Sequence, residues 1–233
     1  MSEPEVLGVL GGMGPRATVN FVETLIDETP AETDQEHIPT IVYNDPTIPD
    51  RNAAILDGAE SPLPKLRTIA RNLEAQGVDA IAIPCNTAHH YYDALTASVD
   101  VEILNMVQAV RETVESAGVS SVGILGTTTV LEAGIYRDYF ADSTVELIAP
   151  EAREAVMDVI YAIKEGEHDS AQTTFESIIA DFERQSVDSL IIACTDLSVL
   201  DVPDSTTTYD SSRILAIECV SRFGRDGRES QEA

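Results

Sequence analysis

Lysine is almost missing from this chain. Of 14 basic residues only Lys65 and Lys164 are lysines, against 41 aspartates and glutamates, for a formal net charge of −27 over 233 residues. So few cations exclude the basic footprint that nucleic acids and anionic membranes require. The acidic residues recur along the whole length, so they form a solvated shell and not an acidic tail. Such a shell repels itself at low ionic strength and destabilises the compact state. At about 1 M salt the Debye length is only about 3 Å and the repulsion is screened. The composition resembles that of a halophilic cytoplasmic protein.

Cysteine is scarce too. Three cysteines, none in a C-x-x-C pair, fit no paired disulfide framework, and free thiols in a reducing compartment are the simple reading. No continuous apolar run approaches the roughly 18 residues of a membrane span. Met1–Glu5 lacks the basic start and apolar centre of a secretory signal, so a cytoplasmic location and no membrane partner are expected.

What is present is a repeated alternation of short apolar runs and helical patterns. An apolar content of 43% suits one large α/β domain or two of about 110 residues. Val6–Leu10 ends in Gly11-Gly12-Met13-Gly14-Pro15, and Ala17, Phe21, Val22, Leu25 and Ile26 then share one helical face. Ile38–Tyr43 reads as a strand. Ser61-Pro62 opens a helix that Gly77 stops. Val78–Ile83 is a buried strand entering Pro84-Cys85-Asn86-Thr87, with Ala88–Leu95 expected as helix.

The pattern then restarts. Val122-Gly-Ile-Leu-Gly126-Thr-Thr mirrors Leu7-Gly-Val-Leu-Gly11-Gly-Met at an offset of 115 residues, with a helix expected over Val130–Phe140. Asp188–Ala193 into Cys194-Thr195-Asp196 mirrors Asp79–Pro84 into Cys85-Asn86-Thr87 at an offset of 109. Similar offsets for two separate features indicate an internal duplication. Alternating strands and helices imply parallel sheets covered on both faces. The expected fold is α/β, with two pseudo-symmetric lobes and a site in the cleft between them. The first lobe takes residues 1–100 plus about 209–233, through a returning helix at Ser211–Arg222, and the second takes 101–208. From about Gly224 onward the chain is polar and charged, an expected frayed end.

In open α/β sheets ligands bind outside the carboxyl ends of the strands. Four turns fall there: Gly11–Pro15, Pro84–Thr87, Gly126–Thr129 and Cys194–Asp196. Cys85 and Cys194 each stand where a strand gives way to an expected helix N-terminus, a setting that stabilises thiolate. Cys219, in the apolar run Ile217–Val220, is expected to be an inert core thiol. Two thiols at matching positions of duplicated lobes suit inversion of an amino-acid α-carbon, one removing a proton as the other delivers one. A carbanion formed without a cofactor needs hydrogen-bond donors around the substrate carboxylate. Asn86, Thr87, Thr127 and Thr195 are candidates, although helix capping explains such residues equally well.

Gly11-Gly-Met-Gly14 is neither a dinucleotide fingerprint nor a Walker motif. Its glycines, Gly12 foremost, let backbone come close to a small anion, with Met13 next to it as a further candidate contact. Arg51 is a candidate bidentate clamp for carboxylate or a surface arginine. Lys164 is a second candidate, near the end of an expected helix where cations are common for dipole reasons alone. His89 and His90 have no second Cys/His cluster to complete a metal sphere. No metal is expected, and both are read as satisfied helix-surface or interface histidines.

At these residues the sequence resembles the aspartate racemase family of the aspartate/glutamate/hydantoin racemase superfamily. Leu7-Gly-Val-Leu-Gly-Gly-Met-Gly-Pro-Arg-Ala-Thr18 is similar to that family's opening motif, and His37-Ile-Pro39 with Ile48-Pro-Asp-Arg51 to its second. Ile83-Pro-Cys-Asn-Thr-Ala-His89 and Ile192-Ala-Cys-Thr-Asp196 resemble its two catalytic signatures. The resemblance implies a pyridoxal-independent two-cysteine mechanism without cofactor, an amino-acid substrate with dicarboxylic preference, aspartate first, and a homodimer. It supports Arg51 and Lys164 as substrate contacts. Asp196 departs from the glutamate common after Cys-Thr, which opens the question of how it supports Cys194. Two alternatives stand beside this: a maleate isomerase or decarboxylase-like member of the same superfamily, and a non-catalytic binder of small anions.

Overall fold

Two parallel sheets of four strands, built in the same order, account for the duplicated pattern. The structure, a computed structural model, describes residues 5–224. The first sheet has the order β2-β1-β3-β4, from β1 (Leu7–Gly11), β2 (Thr40–Asn44), β3 (Ala80–Ala82) and β4 (Glu102–Ile103). The second has the order β6-β5-β7-β8, from β5 (Ser121–Gly126), β6 (Glu146–Ile148), β7 (Ser189–Ala193) and β8 (Thr208–Asp210). Around the first run α1 (Pro15–Glu28), α2 (Arg51–Leu56), α3 (Leu63–Ala75) and α4 (Tyr92–Thr96). Then come α5 (Met106–Ser116), α6 (Thr128–Glu132), α7 (Ile135–Tyr139), α8 (Arg153–Glu165), α9 (His168–Arg184) and α10 (Ser211–Phe223).

Every residue of β1 and of β7 is buried, because helices cover both faces of each sheet; such strands read as unbroken apolar runs and not as alternations. The duplication extends to hydrogen bonds. Asp79, just ahead of β3, accepts from the Val6 amide at 2.7 Å, and Asp188, just ahead of β7, accepts from the Ser120 and Ser121 amides at 3.0 Å. Those amides hold the Asp188 carboxyl below the usual range.

Four cores follow, one on each face of each sheet. Leu10, Leu66, Ile69, Leu73 and Ile81 pack beneath α3; Leu7, Phe21, Leu215 and Cys219 join α1 and α10 on the other face. In the second half Val159, Phe175, Phe182 and Leu190 pack α8 and α9, while Val107, Val110, Ile124 and Tyr136 pack α5 to α7. Consecutive residues divide at α5: Met106 belongs to a core of the first sheet and Val107 to one of the second. The start of α5 is therefore a joint between lobes.

One helix expectation is corrected and a second is refined. Val130–Phe140 is broken into α6 and α7 by Gly134, whose φ of +68° is left-handed backbone that glycine adopts without strain. Ala88–Leu95 begins as a tighter 3-10 helix, Thr87–Tyr91, and only then becomes α4. The readings of the first four residues and of the tail beyond Gly224 lie outside the described residues. Among the described residues, no helix is long and apolar enough to cross a membrane.

Candidate active site

The turns after β1, β3, β5 and β7 come together. Thr87 and Thr127 hydroxyls are 3.3 Å apart across the two lobes, and the Thr195 hydroxyl donates to the Pro84 carbonyl at 3.3 Å. A Cβ placed on Gly14 would lie 3.7 Å from Asp196 Oδ1. Each contact joins a turn of the first lobe to one of the second, as the switch-point rule requires.

The first turn is shaped by Gly12. Its φ is +102°, and a Cβ there would stand 2.1 Å from the Asp45 carbonyl oxygen, so only glycine fits. The Gly12 amide donates to Thr18 Oγ1 at 2.8 Å, which donates on to the Gly14 carbonyl. Met13 is buried, and its carbonyl accepts from Arg51 Nη2 at 3.5 Å. Arg51 opens α2, whose N-cap Asp50 accepts from the Ala53 amide. Its Nη1 donates to the Pro49 carbonyl at 3.3 Å, and its Nε is buried with no protein acceptor. Arg51 is thus drawn into the turn by carbonyls, which settle the guanidinium without neutralising it. Asn52 Oδ1 beside it is buried without a partner as well; nothing in the local sequence signals this.

Cys85 and Cys194 are 5% and 8% exposed, each set in the apolar core of its own lobe. The expectation of a helix-stabilised thiolate is corrected for Cys194. No α-helix starts there, only the single 3-10 turn Leu197–Val199. Burial first, and the Asp196 carboxylate second, push the Cys194 thiol up to about 12, outweighing the Asp196 amide and the Lys164 charge that pull it down. Cys85 adds a smaller upward push. Cys219 is fully buried between α1 and α10, away from these turns, and burial raises its thiol further.

The hydrogen-bonding residues have structural partners of their own. Asn86 donates from Nδ2 to Ser211 Oγ at 2.9 Å and accepts from the Tyr136 hydroxyl at 2.6 Å; Ser211 donates on to the Ile192 carbonyl. This buried network ties the Cys85 turn to α7, α10 and β7. Tyr136 and Ser211 escaped the sequence reading because they lie 50 and 125 residues from Asn86. Thr127 caps α6 by accepting from the Val130 amide. His89 is corrected: it is buried, with Nδ1 2.9 Å from the Cys85 carbonyl and Nε2 3.2 Å from the Met106 amide. His90 is exposed, with its ring edge-on to Tyr91.

Lys164, in the last turn of α8, sits 3.5 Å from Asp196 Oδ2. Both line a cavity of about 340 Å³ with Gly14, Ala17, Ile163 and Val199. A cavity of about 430 Å³ lies elsewhere, between His90 and Asp93 on one lobe and Arg111 and Asp138 on the other, and neither cysteine lines it. Neither cysteine lines the smaller cavity either, but that one is walled by Gly14 and Asp196, from the turns that lead to and carry the candidate residues.

Residues 10–219 match the family model described as Asp/Glu/Hydantoin racemase. The chain is 32% identical to the broad specificity amino-acid racemase RacX of Bacillus subtilis (strain 168), over 94% of this chain and 98% of that one. Its structure resembles that of Picrophilus torridus aspartate racemase with a TM-score of 0.88 and 32% identity, over 96% of this chain and 98% of the other. Glutamate racemase from Francisella tularensis in complex with D-glutamate, at 18% identity, a TM-score of 0.69 and coverage of 94% and 81%, shares the fold.

Proposed function

The chain belongs to the Asp/Glu/hydantoin racemase family and is an isomerase, and on that premise we propose that it inverts the α-carbon of a free amino acid, aspartate first, without a cofactor. The observation that carries this reading is the pair Cys85 and Cys194, at equivalent strand ends of duplicated lobes whose turns touch.

In one direction Cys85 thiolate removes the α-proton; the C–H electron pair stays on the α-carbon and spreads into the substrate carboxylate. The Cys194 thiol gives its proton to the opposite face, completing the inversion and becoming the thiolate. The raised Cys194 thiol suits it to hold that proton beforehand. In the reverse direction the roles exchange. The Arg51 guanidinium, with Nε free of protein acceptors, and the Lys164 ammonium receive the substrate carboxylates. Backbone amides and the Thr87 and Thr127 hydroxyls face the developing charge, where preorganised donors contribute most. Cytoplasmic location and a homodimer belong to the same proposal.

A wider substrate range is the second reading, and the likeness to a broad specificity amino-acid racemase at 32% identity favours it. Incubation with each L-amino acid in D₂O and molar salt, followed by chiral chromatography, tests both. Racemised, α-deuterated aspartate is the expected outcome. Binding of aspartate with no deuterium uptake would leave only the anion-binder alternative, and conversion of maleate in a parallel incubation, with aspartate left unchanged, would favour the maleate isomerase.

A further inference from the structure

We propose that His89 is a positioning residue for Cys85, fixing the thiol-bearing turn against the start of α5 so that the sulfur meets one face of the substrate. This rests on the reading of Cys85 as one of two acid/base residues.

The hydrogen bonds determine the ring's tautomer. The Cys85 carbonyl can only accept, so Nδ1, 2.9 Å away, carries the proton; the Met106 amide can only donate, so Nε2, 3.2 Å away, is bare. One neutral tautomer meets both. Burial favours this neutral ring, outweighing the Cys85 and Leu104 carbonyls and bringing the pKa down to about 4. Tyr92 stacks on the ring at 6.0 Å and 8°, and its own hydroxyl is held by the Ile103 carbonyl.

The bond to Cys85 does more than complete a helix N-terminus. The Met106 amide is an orphan donor at the start of α5, and one acceptor would satisfy it. The second bond runs to the residue that bears the thiol. Its other end stands where Met106 and Val107 enter different cores, so the ring ties Cys85 to the joint between lobes. The duplication sharpens the point. Four residues past Cys194 the chain has Ser198, whose short hydroxyl cannot span a carbonyl and an amide in this way. The clamp is one-sided, so its loss must act on one face of the reaction.

That asymmetry is measurable. Displacing Cys85 leaves Cys194 able to remove the α-proton from the enantiomer facing it, yet the carbanion waits longer for its proton from the other side. Deuterium then returns on the face it left, giving exchange without inversion. For His89→Phe, inversion is expected to fall roughly 10–100-fold, the scale of about 1 Å of misplacement, equally from both enantiomers because their free energies are equal. The ratio of exchange to inversion, read by NMR in D₂O, should rise several-fold for one enantiomer only. His89→Asn puts an N–H near the Nδ1 position and should recover most of the loss. His89→Gln reaches toward Met106 alone and should not. If the Phe variant does not fold, the order of Asn over Gln decides, and Gln matching or exceeding Asn overturns the proposal. An unchanged Phe variant, or equal loss of exchange and inversion from both enantiomers, overturns it also. Cys85→Ser separates the two levels: full racemisation there removes the acid/base reading itself, whereas an inactive Cys85→Ser beside an unaffected His89→Phe removes only the clamp.

Discussion

Lys164 Nζ lies 3.5 Å from Asp196 Oδ2, joining the last turn of α8 to the turn that carries Cys194. The lysine side chain is 41% exposed and the carboxylate 13%, so as a contribution to stability the pair ranks with surface ion pairs, at about 1 kcal/mol or less. Its consequence is for the thiol two residues back. Asp196 raises the Cys194 pKa and Lys164 lowers it, and the carboxylate has the larger effect.

Removing that carboxylate should ease ionisation of Cys194. A negative neighbour disfavours thiolate, so Asp196→Asn is expected to move the Cys194 titration down by roughly one unit or more. The effect should be compounded by a Lys164 freed from its partner. Iodoacetamide labelling rates against pH, in a background of Cys85→Ser and Cys219→Ser, report the shift. A profile that does not move shows that Asp196 has no hold on the thiol.

Cys85→Ser and Cys194→Ser should each lower racemisation by about 10²–10⁴-fold or more, the scale of general acid–base contributions, because a hydroxyl is a far poorer base at neutral pH. Cys219→Ser should leave turnover nearly intact, provided the α1–α10 core still packs around it. Chiral assay of the three variants checks both halves, and full activity of Cys194→Ser would sink the two-base mechanism.

Arg51→Lys keeps the charge but loses the planar fork. The Met13 and Pro49 carbonyls that now orient the guanidinium would be left to a single ammonium. KM for aspartate is expected to rise at least about tenfold, one lost charged hydrogen bond, with a smaller change in kcat. Steady-state kinetics decide it; if Arg51→Ala matches the parent, Arg51 does not touch substrate.

Salt should stabilise the fold. A net charge of −27 with only 14 cations leaves most of the shell repelling itself, and screening relieves that up to molar concentrations. Thermal melts in about 0.1 to 3 M KCl should climb, with turnover following as the acidic shell ceases to oppose a net-anionic substrate. A melting temperature that is flat or declining over this range would reject the halophilic reading and leave the racemase family untouched.

What the sequence determined by itself is what local pattern carries. Unbroken apolar runs such as Leu7–Gly11 and Ser189–Ala193 specify strands covered on both faces, and the repeat of turn motifs implies two lobes, each with its own parallel sheet, whose shared strand order the structure supplies. Each turn's place at a strand's carboxyl end then makes Cys85, Cys194 and Gly12 candidates, and Arg51 joins them through its guanidinium chemistry. Tertiary structure alone decided how those residues are engaged. Asn86 meets Tyr136 and Ser211, His89 spans from Cys85 to Met106, and Lys164 meets Asp196; no periodicity encodes pairings over such separations. The Cys194 thiol departs from its sequence expectation for the same reason. Helix dipoles can be guessed from neighbours in sequence, whereas desolvation depends on everything packed around the sulfur, and here burial and one carboxylate outweigh the local amide.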